Sequence, residues 1–102
     1  MNGGELLFLA VATCYCNDFY RGARKRGIEI TGVQVEVRAE FGDEGEPAKE
    51  ISYKDSVVSP APRPEVLALV RHADSVAEIQ NTLRKSSSVV LAHIEVQSTR
   101  NP

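Results

Sequence analysis

From Glu5 to Arg26 the chain has no proline and no glycine before Gly22, is rich in leucine and alanine, and closes on Gly27. That pattern predicts one long helix ending at a residue suited to the left-handed turn just past a helix terminus. Up to Thr13 the helix is apolar on nearly every face, whereas Asp18, Arg21, Arg24 and Lys25 mark its second half. A helix that is apolar all round has to be covered all round. A small sheet covers one side only, so the remainder predicts a second subunit in a homodimer. The length of 102 residues fits one domain spanning 1–102. It is at the low end of what closes a good core unaided, which also favours association.

Beyond Gly27, Val33, Val35, Val37, Ala39 and Phe41 alternate with Gln34, Glu36, Arg38 and Glu40, the period of a strand with one buried face. Turn residues fill Gly42 to Pro47, and alternation resumes from Ala48 to Val58 through Ile51, Tyr53 and Val57. An antiparallel hairpin follows. The Pro-rich stretch from Ser59 to Pro64 is a connector, because proline removes donors and fixes φ. Pro64 suits the first turn of a helix reaching about Ala73, with Val66, Leu67, Leu69 and Val70 as its apolar stripe. Ser75-Val76-Ala77-Glu78 has the spacing of a capping box, which predicts a second short helix from about Val76 to Arg84. Val90, Ala92, Ile94 and Val96 alternate within Val89 to Gln97, and the run reads as a closing strand. The order α-β-β-α-α-β implies an α+β domain with helices against one antiparallel-rich sheet.

The net charge of −2, with both signs spread along the chain, gives no electrostatic footprint for nucleic acid or an anionic membrane. The one basic cluster, Arg21, Arg24, Lys25 and Arg26, falls at a helix C-terminus, where the dipole favours cations. No basic region precedes the apolar run, which is also short of the ~20 apolar residues that span a bilayer. A cytoplasmic protein with no membrane partner is the expectation. Two cysteines separated by one residue make no disulfide framework, and no CxxC or histidine cluster suggests zinc, so neither a metal nor another cofactor is expected.

Cys14 lies inside the long helix, where a thiol is either a small core residue or a protected nucleophile. Cys16 does not pair with it, because two residues along a helix are about 200° apart around the axis. His72, near the end of its short helix, suits the dipole there. His93 falls on the polar side of the closing run, and Tyr15, Phe19 and Tyr20 read as core or dimer contacts.

Four pieces of the chain, in order and spacing, carry a family resemblance: Gly4-Glu5-Leu6-Leu7 leading through Ala10 and Ala12 to Cys14; Arg24-Lys25-Arg26-Gly27-Ile28; the Val33 to Val37 strand; and Asn81-Thr82-Leu83-Arg84. Together they resemble the OsmC/Ohr family, the osmotically inducible protein C and organic hydroperoxide resistance proteins. The chain is similar to the C-terminal two-thirds of a usual member, without the N-terminal strands that ordinarily precede the helix. The resemblance implies a long buried central helix on a sheet, an intertwined homodimer, and a role in oxidative stress through peroxide reduction. It puts Cys14 in the place of the cysteine that attacks the O–O bond, forming a sulfenic acid that a second thiol then captures.

Where the family has its resolving cysteine this chain reads Ala77-Glu78, so an external thiol reductant is implied. The family's activating glutamate aligns with Gly4, and Glu5 is the replacement one residue on. The activating arginine ordinarily comes from the missing strands, and Arg21, roughly 10 Å along the helix from Cys14, is a replacement only from a partner subunit. Cys14 and Glu5 are therefore the candidate catalytic residues. Two functions follow: a thiol-dependent hydroperoxide reductase, or a non-catalytic dimer that keeps an apolar cleft beside the helix for a small hydrophobic ligand or a protein partner.

Overall fold

Asn2 starts the first helix: its side-chain oxygen accepts the Glu5 backbone N–H at 2.9 Å, and its amide donates to the Glu5 carboxylate at 3.2 Å. One of the backbone donors left over at a helix N-terminus is thereby satisfied, and α1 runs Gly3–Arg26 in the computed structural model, which describes residues 1–97. At the other end Gly27 adopts φ 65°, its N–H donates to the Arg24 carbonyl at 3.3 Å, and the Ile28 N–H donates to the Ala23 carbonyl at 2.9 Å. These are the paired bonds of a Schellman motif, which requires the left-handed residue that the sequence supplies. Arg24, Lys25 and Arg26 occupy the last turn beside the exposed carbonyls.

β1 spans Gly32–Glu40 and β2 spans Lys49–Val58, paired antiparallel with Val33 opposite Val57, Val35 opposite Asp55 and Val37 opposite Tyr53. These six residues form the half-buried face, of which Val33, Val35, Tyr53 and Val57 pack against the core, while Gln34, Glu36, Arg38 and Glu40 point outward. The predicted hairpin is present, and its sheet has two strands. Its ladder breaks once: Arg38 pairs Ser52 and Glu40 pairs Lys49, so Glu50 and Ile51 together stand against Ala39. That is a β-bulge.

α2 spans Arg63–Val76 and α3 spans Glu78–Arg84. The expected capping box is not formed. α2 continues through Ser75, whose hydroxyl turns back to donate to the His72 carbonyl at 2.7 Å, and Ala77 alone separates the two helices. A serine inside a helix commonly bonds the preceding turn in this way, which takes its oxygen away from the cap.

The core is Tyr15, Phe19 and Ala23 of α1 against Leu69 and Ala73 of α2, with the valines of the hairpin packed beside them. Gly22 allows the close crossing, since a Cβ there would lie 2.8 Å from Leu69 Cδ1. The buried positions of α1, namely Val11, Tyr15, Phe19, Gly22 and Ala23, form one stripe at helical spacing. Leu6 and Leu9 remain 53% and 51% exposed, so this chain covers only one side of the helix.

The element order is α-β-β-α-α, and the closing strand predicted for Val89 to Gln97 is not formed. Alternation supplies a strand's side chains but not its hydrogen-bond partner; the run meets no free edge of its own hairpin, and Val89, Leu91 and Val96 are 94%, 79% and 80% exposed. No helix among the described residues is long and apolar enough to cross a membrane.

Candidate functional site

The two cysteines of α1 are both free and partly buried. Cys16 packs against the aromatic core, and burial, then the nearby Asp55 carboxylate, pushes its thiol above the ordinary value. Both effects disfavour a thiolate there. Cys14, equally partly buried, lies about 200° away around the helix and is not among the residues packed against the core cluster.

Glu5 is exposed and engaged at the helix cap with Asn2. An α-helix sets it about 180° around the axis from Cys14 and roughly 13 Å along it, so one chain does not bring the two candidate catalytic residues together. Arg21 is likewise turned to the surface, where its guanidinium pairs with Asp18 at 3.0 Å. His72 is exposed on α2, and His93 is exposed in the C-terminal run. Among the described residues no cluster of His, Cys, Asp and Glu is arranged to hold a metal ion.

The polar chemistry that the fold does gather was not singled out by the sequence. Tyr15, fully buried on α1, donates its hydroxyl to the Asp55 carboxylate on the inner face of β2. Burial, then the bond to Asp55, moves the Tyr15 phenol well above its usual range. Burial also raises the Asp55 carboxyl, against the opposing effect of the Tyr15 bond. Two residues along the same strand face, Tyr53 donates to Asp74 of α2, which also receives the Arg84 guanidinium of α3 at 2.7 Å. Burial would raise Asp74, but the Tyr53 hydroxyl and Arg84 together hold it below the ordinary carboxylate value. This network ties β2, α2 and α3 to one another.

Beside it lies a pocket of about 290 Å³ between α1, the bulged start of β2, and α3. Val11, Ile51 and Leu83 give it apolar walls, and Tyr53, Gln80 and Arg84 its polar ones. Gln80, 4% exposed, donates its amide to the Val11 carbonyl at 3.0 Å across the helix interface. Its position on an otherwise amphipathic short helix gave no signal that distinguished it from a surface glutamine. Asp55 did leave a trace, since it occupies the inward slot between Tyr53 and Val57 in the alternation of β2.

A family model described as OsmC-like protein matches residues 1–92. No curated protein matches the chain.

Proposed function

The chain belongs to the OsmC-like protein family, and on that premise we propose that it is a thiol-dependent hydroperoxide reductase in which Cys14 is the reacting residue. The observation that carries this reading is the contrast between the two thiols. Cys16 packs against the core cluster near a carboxylate, whereas Cys14, in the family's reacting position and equally partly buried, is outside that cluster. The Cys14 thiolate attacks the distal oxygen of a hydroperoxide, the O–O bond breaks, the alcohol leaves with a proton, and Cys14 is left as a sulfenic acid. With Ala77 where a resolving cysteine would stand, an external thiol condenses with the sulfenic acid, releasing water. A second external thiol then restores Cys14 and departs as the disulfide.

The same reading includes a homodimer. The uncovered side of α1, with Leu6 and Leu9, and the apolar run from Val89 are covered by a second copy. Because Glu5 cannot reach Cys14 within one chain, its support of the thiol, and any from Arg21, comes across that dimer.

A second reading is favoured by the pocket between α1, β2 and α3: an OsmC-like dimer that binds a small hydrophobic ligand without catalysis. One comparison separates the two. Cumene hydroperoxide consumption with dithiothreitol as reductant should be measurable in the wild type and abolished by Cys14→Ser, with the fold unchanged by circular dichroism. A wild type that turns over no hydroperoxide with any thiol donor removes the first reading.

A further inference from the structure

We propose that Asn2 is a site of spontaneous covalent modification, deamidation through a cyclic imide, and that Glu5 sets its rate. Asn2 and Gly3 are adjacent and both exposed. The Gly3 backbone nitrogen attacks Cγ of the Asn2 side chain, and the proton it loses ends on the side-chain amide, which departs as ammonia. A five-membered succinimide closes. Water then adds to one ring carbonyl or the other, leaving aspartate or isoaspartate at position 2 with no oxidant, reductant or enzyme required. Glycine hinders this attack least, because it has no Cβ beside the nitrogen. Gly3 is the first residue of α1, where a backbone N–H has no carbonyl partner inside the helix. A Cβ built on Gly3 would meet nothing within 4 Å, so the ring and the incoming water have open space.

The cap controls the rate. Asn2 is held by both ends of its amide, since Oδ1 accepts the Glu5 N–H at 2.9 Å and Nδ2 donates to the Glu5 carboxylate at 3.2 Å. Closing the ring carries Cγ to the Gly3 nitrogen and breaks this pair of bonds, so the reaction runs through an opened first turn. An exposed chain end opens far more cheaply than a core. Glu5 is therefore a positioning residue that keeps the Asn2 side chain in its unreactive place. The other asparagines among the described residues are set differently: Asn17 precedes Asp18 within α1 and Asn81 precedes Thr82 within α3. Each of those successors carries a Cβ, and its N–H belongs to the helical ladder. Once formed, either product puts a carboxylate where the Asn2 amide donated to Glu5, and isoaspartate also lengthens the backbone at the cap. The modification thus loosens the first turn of α1, and it depends on neither reading of Cys14.

The test is incubation of the full chain in mildly alkaline buffer, followed by digestion and electron-transfer fragmentation, which locates each converted asparagine and separates aspartate from isoaspartate. Both products should accumulate at position 2 well before Asn17 or Asn81 changes. Glu5→Ala removes the acceptor of one exposed hydrogen bond, worth about 0.5–1.5 kcal/mol, and should speed conversion by about 2- to 10-fold. Glu5→Gln keeps an acceptor at that place and should stay close to the wild-type rate. Gly3→Ala puts a methyl group into open space beside the nitrogen and should slow conversion roughly tenfold, with helical circular dichroism unchanged. A synthetic peptide of residues 1–7 gives the rate without the helix. If that peptide converts while Asn2 of the folded chain stays intact, the proposal is overturned. Conversion of Asn17 or Asn81 as fast as Asn2 overturns the site, and a Glu5→Ala rate equal to the wild type overturns the role of Glu5.

Discussion

The hydroxyl of Tyr15 and the carboxylate of Asp55 form a hydrogen bond that joins the middle of α1 to the inner face of the hairpin, between partners 40 positions apart in the chain. Asp55 Oδ1 has no partner of its own, so the bond to the other oxygen is what compensates the acid for its partial burial. Tyr15→Phe strands that oxygen and should lower the unfolding free energy by about 1–3 kcal/mol in urea titrations. Combining it with Asp55→Leu should recover much of the loss, because removing both polar partners is far cheaper than removing one. A Tyr15→Phe protein as stable as the wild type would show that the bond contributes nothing.

The two inner carboxylates make opposite contributions to pH dependence. Burial raises Asp55 in the folded state, so the stability linked to it is fully present below the unfolded value of ~3.9 and declines as pH rises through the folded value. For Asp74, burial is outweighed by Tyr53 and Arg84 and the folded value lies low; its contribution is present above ~3.9 and lost as pH falls through that lower value. Melting temperatures measured from pH 2.5 to 7 should show the decline above pH ~4 removed by Asp55→Asn, and the acid loss reduced by Asp74→Asn. The reverse assignment of the two effects would contradict the structure.

Why the sequence disclosed the scaffold but little of the site is visible in these same residues. The extent of α1, the hairpin and the two later helices follows from local periodicity and from Gly27, and all were legible. Ser75 misled because its preferred bond, to the His72 carbonyl, is decided by whether α2 has already ended, which four residues do not reveal. Val89 to Gln97 misled because alternation records what the side chains need and not whether a backbone edge is available. Tyr15 to Asp55 and Gln80 to Val11 are long-range pairings, invisible to any window of the sequence. Cys14 stood out as a thiol within the helix, whereas its pairing with Glu5 came only through family resemblance, and the helix that carries both is what keeps them apart in one chain.

Gly27 supports a sharper local test. With φ at 65°, any side chain there crowds the following carbonyl, and the two bonds of the Schellman motif depend on that conformation. Gly27→Ala should cost about 1–2 kcal/mol in chemical denaturation, despite alanine's better helix propensity. A neutral or stabilising result would mean that the chain leaves α1 by another route.

Alkylation separates the two thiols without an assay for function. Cys16 is held as the thiol by burial and by Asp55, so at pH 7.5 iodoacetamide labelling followed by mass spectrometry should find Cys14 modified well before Cys16. Asp55→Asn should speed Cys16 by removing the nearby charge, while leaving Cys14 unaffected. Faster labelling of Cys16 in the wild type would exchange the roles assigned to the two residues.

The C-terminal run offers the most direct test of association. Leu91 and Val96 are 79% and 80% exposed on the single chain, so replacing both with aspartate removes no contact that the chain makes with itself. Surface changes of this kind normally alter folding stability by within about 0.5 kcal/mol. If a second copy covers the run, however, each copy brings two buried charges to every dimer that forms, and each costs several kcal/mol unless it is paired. Analytical ultracentrifugation should therefore show the wild type as a dimer and Leu91→Asp/Val96→Asp as a folded monomer with unchanged helical circular dichroism. A variant that stays dimeric would place the interface on α1 alone, around Leu6 and Leu9, and a monomeric wild type would remove the dimer, and with it the route by which Glu5 reaches Cys14.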